Sequence, residues 1–371
     1  VLFRSVDVPT TSYSYFFEPN PNWSRLFSTG TEIKQYADDV ADKYDVRRHI
    51  RFNTTVEGAR WDEDAGVWRV ALAGGETLTA RYLITATGFL SQPLTPEIPG
   101  ITGFEGTIIH TADWDDSYDP TNRRIGIIGT GATAVQLIPE LARAAADLTV
   151  YQRTPIWVVP KVDVPFSARA KRLFARLPLA QRAIRVVTDA LYEFMVYVAV
   201  VHRRTFRGRF NIAASDLAKM YRFVTIRDKD LRRRLTPDYD FGCKRPTFSN
   251  SYYQSFNKST VHLQDSGIDR IEPDGIVAND GTKAVIDTLV LATGFDIWEA
   301  NFPAIEVIGR EGRNLGKWWR DTRFQAYQGV SMPYFPNYLS LAGPYAFLGL
   351  NFFNTMEYQM RLMERLFGEL K

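Results

Sequence analysis

Several features that would place a chain in a particular class of protein are scarce in this sequence. Its 371 residues include one cysteine, Cys243, which excludes an internal disulfide framework and a cysteine-based metal centre. The net charge of +3 is too small to indicate nucleic-acid binding. The longest apolar run, Leu191–Val201, contains Glu193 and is shorter than the roughly 18 residues of a membrane span. We expect a cytoplasmic protein with no metal, no nucleic-acid partner and no transmembrane segment.

A strand, a glycine turn and the start of a helix follow one another at Ile125-Gly-Ile-Ile-Gly129-Thr-Gly131-Ala-Thr-Ala134. In such a pattern Gly129 makes the turn, Gly131 lets the backbone approach a pyrophosphate, and Ala134 allows close helix–sheet packing. The helix N-terminus adds amide hydrogens and a positive dipole. A second strand, Leu148–Tyr151, follows. The arrangement predicts a dinucleotide site.

The residues after that second strand distinguish NADPH from NADH. An NAD site has Asp or Glu about twenty residues past the first glycine, where it binds the ribose hydroxyls. This chain has Gln152-Arg153-Thr154-Pro155 there, without a carboxylate. A cation at Arg153 and a hydroxyl at Thr154 suit a 2′-phosphate, so we predict NADPH. The alternative is a solvated arginine on a loop.

Two short apolar strands end in the same Ala-Thr-Gly turn. One runs over Arg81–Gly88 and the other over Ile286–Gly294. A doubly wound nucleotide-binding sheet uses such turns where the chain passes close to a cofactor. We therefore expect a cofactor-binding role for both turns, and two unrelated corners are the alternative. The residues concerned are Thr87, Gly88, Thr293 and Gly294.

Other periodic patterns predict the elements around the glycine turn. Residues 31–48 have apolar positions at helical spacing after a threonine cap. Alternation predicts one hairpin from Thr54–Trp61 and Val67–Leu72, and another from Val261–Gln264 and Gly275–Ala278.

The segment 165–235 is rich in arginine and helical in pattern. We interpret it as a helical insertion within a sheet domain. Its arginines are expected to form a solvated face, with phosphate steering as the alternative.

One stretch matches no general physical pattern: Phe104-Glu-Gly106-Thr-Ile-Ile-His110-Thr-Ala-Asp-Trp114-Asp115. This F-x-G-x-x-x-H-x-x-x-W-D sequence resembles the fingerprint of the flavin-dependent Baeyer–Villiger monooxygenases. In that family the fingerprint lies on a linker between two nucleotide domains. The resemblance implies that His110 supports domain movement and is not an acid or base.

The resemblance extends to a Lys-Arg pair that precedes Tyr-Tyr-x-x-Phe-Asn, present in this chain as Lys244-Arg245 before Tyr252–Asn257. It implies that Lys244 joins Arg153 and Thr154 at the 2′-phosphate and that Arg245 points into the active site. Composition alone favours ordinary surface charge for this pair.

Two further segments resemble the family. Ser5–Tyr15 is similar to the segment that carries an aspartate beside the flavin, so Asp7 is implied to hold the catalytic Arg245. An acidic residue in a frayed end is the alternative. Tyr327–Tyr338 and the Gly343-Pro344 region resemble segments that line the flavin and the substrate pocket. Three aromatic residues near the second of these favour an apolar substrate, with ordinary core packing as the alternative: Tyr345, Phe347 and Phe352.

The resemblance implies an α/β fold with two Rossmann-like dinucleotide-binding domains. An FAD-type domain, discontinuous and incomplete, is expected at 1–118 and 286–371. An NADPH-type domain is expected at 119–285, with the helical insertion at about 165–235. The family has a second glycine fingerprint for FAD that this chain lacks, and the chain starts at Val1 without a methionine. We expect a fragment of a longer enzyme.

The implied activity uses the cofactors FAD and NADPH together with O2. A peroxyflavin attacks a ketone, which becomes an ester or a lactone, and Arg245 is the fixed cation of that site. One alternative is a flavin monooxygenase that oxidises amines or sulfides, which Trp114-Asp115 disfavours. Another is a non-catalytic NADPH-binding fragment. The sequence specifies neither the ketone nor the oligomeric state.

Overall fold

The computed structural model describes residues 5–198, 209–300, 302–346 and 351–369. Phe347, expected near the substrate, lies outside the described residues. The chain forms two compact units, of which the first spans Val1–Thr11, Asn20–Lys34 and Leu94–Gly294. The second spans Ser12–Pro19, Gln35–Pro93 and Phe295–Lys371. Two unit boundaries fall near residues 94 and 294, whereas the predicted cofactor domains change at 119 and 286. The other boundaries divide the predicted segment 1–118 between the two units. The assignment of a cofactor to each segment stays a prediction.

Both helices and strands form along the described ranges of the chain. The helices are α1 (Gly30–Lys43), α2 (Ala132–Ala144), α3 (Ala168–Arg176), α4 (Pro178–Val196), α5 (Arg209–Thr225), α6 (Lys229–Arg234), α7 (Tyr252–Ser255), α8 (Leu315–Asp321) and α9 (Phe352–Glu369). The strands are β1 (Val56–Asp62), β2 (Val67–Leu72), β3 (Thr77–Ala80), β4 (Leu83–Thr85), β5 (Thr107–His110), β6 (Arg124–Ile128), β7 (Asp147–Tyr151), β8 (Val158–Val159), β9 (Thr247–Phe248), β10 (Val261–Gln264), β11 (Ile268–Glu272), β12 (Gly275–Ala278), β13 (Lys283–Val285), β14 (Thr288–Leu291), β15 (Glu306–Ile308) and β16 (Tyr338–Ser340).

A five-stranded parallel sheet in the order β10-β7-β6-β14-β5 is the centre of the first unit. Its central strands are continuous apolar runs, as expected where both faces of a parallel sheet are covered. Ile127, Val150 and Val290 are fully buried, and α2 packs beside them with Leu137 and Ile138. The strand order reverses between β6 and β14, and such a switch point opens a crevice at the carboxyl ends of the strands.

The hairpin predicted from 261–264 and 275–278 is wrong. β10 pairs in parallel with β7 in the large sheet, and β12 pairs antiparallel with β11 and β13 in a separate three-stranded sheet. The pattern misled because a further strand, β11, lies between the two segments. Period-two alternation identifies a strand but not its partner.

The predicted helical insertion is confirmed over the described residues, where α3, α4, α5 and α6 occupy much of 165–235. None of the helices in the described ranges is long and apolar enough to cross a membrane.

The second unit is built on a four-stranded sheet in the order β15-β1-β2-β3. The predicted hairpin at 54–61 and 67–72 is confirmed, since β1 and β2 pair antiparallel with Trp61 opposite Trp68. Trp68 is fully buried and packs in one apolar cluster with Trp319. The strand predicted at 81–88 is confirmed only over the three residues of β4, Leu83–Thr85. This strand pairs with β16, and its Ile84 is exposed.

The helix predicted at 31–48 is confirmed as α1. It ends at Lys43, whereas the predicted helix ends at residue 48. Asp45 has a φ of 51°, a left-handed conformation that cannot continue an α-helix.

Candidate functional site

A cavity of about 600 Å³ lies at the carboxyl ends of the parallel strands in the first unit. Its walls are the glycine turn at 129–131, the residues after β7 and the Ala-Thr-Gly turn at 292–294. These segments follow β6, β7 and β14, three neighbouring strands of the sheet. The cavity therefore lies at the switch point where doubly wound sheets bind nucleotides.

The two glycines of the turn meet different surroundings. Gly129 has a φ of 112°, and a Cβ there would stand 2.4 Å from the carbonyl oxygen of Ala292. Gly131 precedes α2, and a Cβ there would meet nothing within 4 Å. Protein packing thus requires Gly129, whereas the space beside Gly131 is open for a ligand. Ala134 is fully buried in α2, as the pattern predicts.

Three predicted phosphate ligands line this one cavity: Arg153, Thr154 and Lys244. Thr130 Oγ1 donates to the carbonyl of Thr154 at 2.9 Å, which fixes the loop to the glycine turn. Lys244 Nζ lies 4.9 Å from the ring centre of Tyr239. The described residues of the lining include these two cations and no carboxylate, so the wall fits a dianionic phosphate.

His110 ends β5 and contacts the second Ala-Thr-Gly turn. Its Nδ1 accepts from the backbone N–H of Ala112 at 3.1 Å, so the imidazole is neutral and carries its proton on Nε2. That nitrogen lies 3.3 Å from Thr293 Oγ1, whose hydroxyl donates to the carbonyl of Leu94. Partial burial lowers the pKa of His110. These contacts join β5 to a turn that lines the cavity.

The other fingerprint residues have separate structural tasks. Phe104 is buried against the β11–β13 side of the unit, and a Cβ on Gly106 would stand 2.5 Å from the Asp287 carbonyl. Trp114 packs against the core around α2. Asp115 accepts from the backbone and hydroxyl of Ser117. None of these four lines the cavity described above.

Asp7 and Arg245 form a two-point ion pair. Arg245 Nε donates to Asp7 Oδ2 and Nη2 donates to Oδ1, both at 3.0 Å. The pair is half exposed, and Arg245 directly follows Lys244 of the cavity wall. The predicted pair therefore exists and lies one residue from the predicted phosphate site.

Comparisons with known proteins identify the family of the chain. Residues 6–191 match the family model of the pyridine nucleotide-disulphide oxidoreductases. A Baeyer–Villiger monooxygenase from Streptomyces coelicolor is 37% identical over 344 residues, which cover 92% of this chain and 64% of the relative. Another, from Pseudooceanicola batsensis, is 32% identical over 91% of this chain and 68% of the relative. The chain belongs to the Baeyer–Villiger monooxygenase family.

A solved structure supports the fold of this family member. The protein OTEMO in complex with FAD and NADP has a TM-score of 0.82 and is 28% identical, over 99% of this chain and 78% of that one. The predicted α/β class and the predicted family are therefore confirmed. The chain spans less than two thirds of the Streptomyces relative, namely 64%.

Other residues of this Baeyer–Villiger chain bind Ser5 and Val6, directly before Asp7, and the sequence patterns did not indicate them. Lys161 Nζ donates to Ser5 Oγ at 2.8 Å and to the Val6 carbonyl at 3.1 Å. Gln136, on α2, accepts from the Ser5 backbone N–H at 2.8 Å. Each contact joins residues more than 130 positions apart, so no local spacing reveals it.

Tyr192, on α4, is the third residue near this pair that the patterns missed. Burial raises the pKa of its phenol, the Asp7 carboxylate adds to the rise, and Arg245 opposes it. Its hydroxyl is thus a neutral neighbour of the ion pair.

Thr87 and Gly88 belong to the second unit and are not among the residues that line the cavity of about 600 Å³. They line a cavity of about 10 Å³, which has room for one water-sized sphere and not for a flavin. Thr85 and Tyr338, at the same cavity, bond to each other through their hydroxyls at 3.0 Å. The two Ala-Thr-Gly turns therefore differ: the one at 292–294 lines a nucleotide-sized cavity, and the one at 86–88 does not.

Proposed function

We propose that this chain supplies the NADPH site and the catalytic cation of a flavin-dependent Baeyer–Villiger monooxygenase. The enzyme uses NADPH and O2 to convert a ketone into an ester or a lactone. The observation that carries the proposal is the Asp7–Arg245 pair, adjacent in sequence to a wall of the dinucleotide cavity. Membership in the Baeyer–Villiger family supports the reaction type.

NADPH binding uses the residues of the 600 Å³ cavity. The open space beside Gly131 receives the pyrophosphate at the N-terminus of α2. Arg153 and Lys244 bind the 2′-phosphate, and the Thr154 hydroxyl adds a donor. Hydrogen bonds between cations and phosphate oxygens are stronger than neutral ones, so they give the preference for NADPH over NADH.

Arg245 is the fixed positive charge of the reaction. Asp7 takes its Nε and Nη2, which leaves both hydrogens of Nη1 for a further acceptor. A guanidinium keeps its charge at any working pH and, once oriented, stabilises negative charge that develops on a reacting oxygen. Bound FAD would supply the oxygen-activating chemistry, and the relative with FAD and NADP bound supports that cofactor.

The proposal includes a small-molecule ketone, O2 and a cytoplasmic setting. The single cysteine of the chain, Cys243, is exposed, and a chain with one cysteine suits a reducing compartment.

A ketone panel tests the proposal. The complete protein that contains this chain is given FAD, NADPH and cyclic, linear or aryl ketones, and esters are measured by mass spectrometry under ¹⁸O2. We expect one labelled oxygen in the ester and one NADPH consumed for each ester formed. If NADPH binds and no ketone gives labelled ester, the proposed reaction is wrong and the protein only binds the nucleotide.

A further inference from the structure

Helix α4 turns its polar side chains toward the protein and its apolar side chains toward solvent. Gln181 and Arg185 are 2% and 4% exposed. Leu179, Val187 and Phe194 are 74%, 68% and 62% exposed. A surface helix normally has the opposite arrangement, with its apolar stripe against the core. The orientation of α4 therefore needs an explanation other than folding of the first unit.

The inward face of α4 is held by polar contacts within the first unit. Gln181 Nε2 donates to the carbonyl of Asn20 at 2.7 Å. Arg185 Nε donates to Asp189 one turn further on, at 3.4 Å. Rotating the helix to bury its apolar side would break the bond from Gln181 and leave the part-buried Asn20 carbonyl without this donor. The bond from Gln181 to Asn20 thus keeps the apolar face outward.

The outward face is continuous along the helix. Ile184, Val187, Leu191 and Phe194 are exposed and recur at intervals of three or four residues, so they share one side of α4. A helix of 19 residues is roughly 28 Å long. Exposed apolar area of this extent marks a binding surface rather than ordinary solvent contact.

Helix α3 places unpaired positive charge beside this face. Its sequence contains four basic residues and no carboxylate, and it packs against α4. Arg169, Arg172 and Arg176 are exposed and have no ion-pair partner within the described part of the chain. Leu173 and Leu177 are about half exposed among them. We call these exposed residues of α3 and α4 the α3–α4 surface.

We propose that the α3–α4 surface binds an anionic lipid bilayer, with α4 lying flat at the level of the headgroups. Apolar side chains beside unpaired arginines match the two components of a bilayer surface, acyl chains and anionic phosphates. A second copy of the chain fits less well. A symmetric dimer through this surface would bring two α3 helices of the same charge together. The proposal does not depend on the oxygenase function.

Vesicle sedimentation tests the proposal with the complete protein. We expect binding to vesicles of phosphatidylcholine with phosphatidylglycerol, at least tenfold weaker binding to phosphatidylcholine alone, and release by 0.5 M NaCl. Val187→Ser with Phe194→Ser is expected to weaken binding to anionic vesicles by at least tenfold. Changing Arg169, Arg172 and Arg176 to Gln is expected to weaken binding to anionic vesicles about fivefold for each arginine.

Matched controls lie in the second unit. Phe52→Ser removes an exposed aromatic residue, and Arg81→Gln with Arg320→Gln and Arg323→Gln removes three exposed cations. Both controls are expected to bind vesicles like wild type, and thermal unfolding confirms that all variants fold. Absence of vesicle binding by the wild type, or equal losses in test and control variants, overturns the proposal. The proposal is also overturned if light scattering detects a dimer in the absence of lipid and Phe194→Ser dissociates that dimer.

Discussion

His110 and Thr293 bond through Nε2 and Oγ1 at 3.3 Å, and the backbone N–H of Ala112 holds the opposite nitrogen of the ring as an acceptor. The imidazole is therefore fixed in one neutral tautomer beside a turn that lines the cavity of about 600 Å³. A proton on Nδ1 would break the bond from Ala112. The contacts support a structural coupling role and not an acid–base role for this histidine.

We predict that acid destabilises the protein partly through His110. Burial lowers the pKa of this side chain in the folded state below its usual 6.5, so the unfolded chain takes up the proton first. The contribution of His110 to the unfolding free energy is then constant above about pH 6.5 and declines as the pH falls below that value. Chemical denaturation at pH 7.5 and 5.5 is expected to show a smaller decline for His110→Gln than for wild type. Identical declines would contradict the prediction.

We predict that Arg153 and Lys244 distinguish NADPH from NADH. Arg153→Ala or Lys244→Ala should raise the Kd of NADPH about tenfold or more and leave that of NADH within twofold, because each removes a bond to the 2′-phosphate worth about 1.5–3 kcal/mol. Calorimetric titration with both nucleotides measures this. Arg143→Ala is the control, since that arginine is exposed on α2 and pairs with Glu140. If the Kd of NADPH and the Kd of NADH rise by the same factor, the two cations contact a part of the nucleotide other than the 2′-phosphate.

We predict opposite consequences for alanine at the two glycines of the turn. Gly129→Ala forces an unfavourable φ of 112° and a contact of 2.4 Å with the Ala292 carbonyl, so it should lower the unfolding free energy by about 2 kcal/mol or more. Gly131→Ala meets no protein atom and should cost under about 1 kcal/mol. Its methyl group instead occupies the nucleotide path, so NADPH affinity should fall. Unchanged affinity in Gly131→Ala would show that the nucleotide lies elsewhere.

We predict that Lys161 acts on catalysis through Asp7. Lys161→Met removes both bonds to the Ser5–Val6 backbone and side chain, so Asp7 holds Arg245 less firmly. The expected result is about a tenfold lower kcat with the KM for NADPH unchanged, and partial rescue in Lys161→Arg. Lys171→Met is the control, because that lysine donates to the carbonyl of Asn22 instead. A rise in the NADPH KM alone would contradict a positioning role.

The sequence predicts those features whose signal lies within a few neighbouring residues. The strand, glycine turn and helix at 124–144 and the β1–β2 hairpin each form from neighbouring residues, as predicted. Arg153 and Thr154 line the cavity, and their binding of a phosphate stays a prediction. Pairing across longer distances was not predictable from periodicity, as β10 and β12 show. The Asp7–Arg245 contact spans 238 positions, and only the family resemblance indicated it.

The orientation of α4 could not be predicted either. A helical pattern shows that two faces differ, but the usual rule assigns the apolar face to the core. In this chain the polar residues Gln181 and Arg185 are buried, and Gln181 bonds to the Asn20 carbonyl in another segment of the first unit. The arginines of α3 are exposed as expected, and the apolar face beside them was not anticipated.

The most direct test of the proposed reaction compares Arg245→Ala and Arg245→Lys with wild type in the complete enzyme. Ester formation under ¹⁸O2 is measured beside the bleaching of flavin absorbance by NADPH. We predict that NADPH still bleaches the flavin in all three proteins, and that Arg245→Ala forms no labelled ester, because the cation held by Asp7 is gone. Labelled ester formed by Arg245→Ala at the wild-type rate would contradict it.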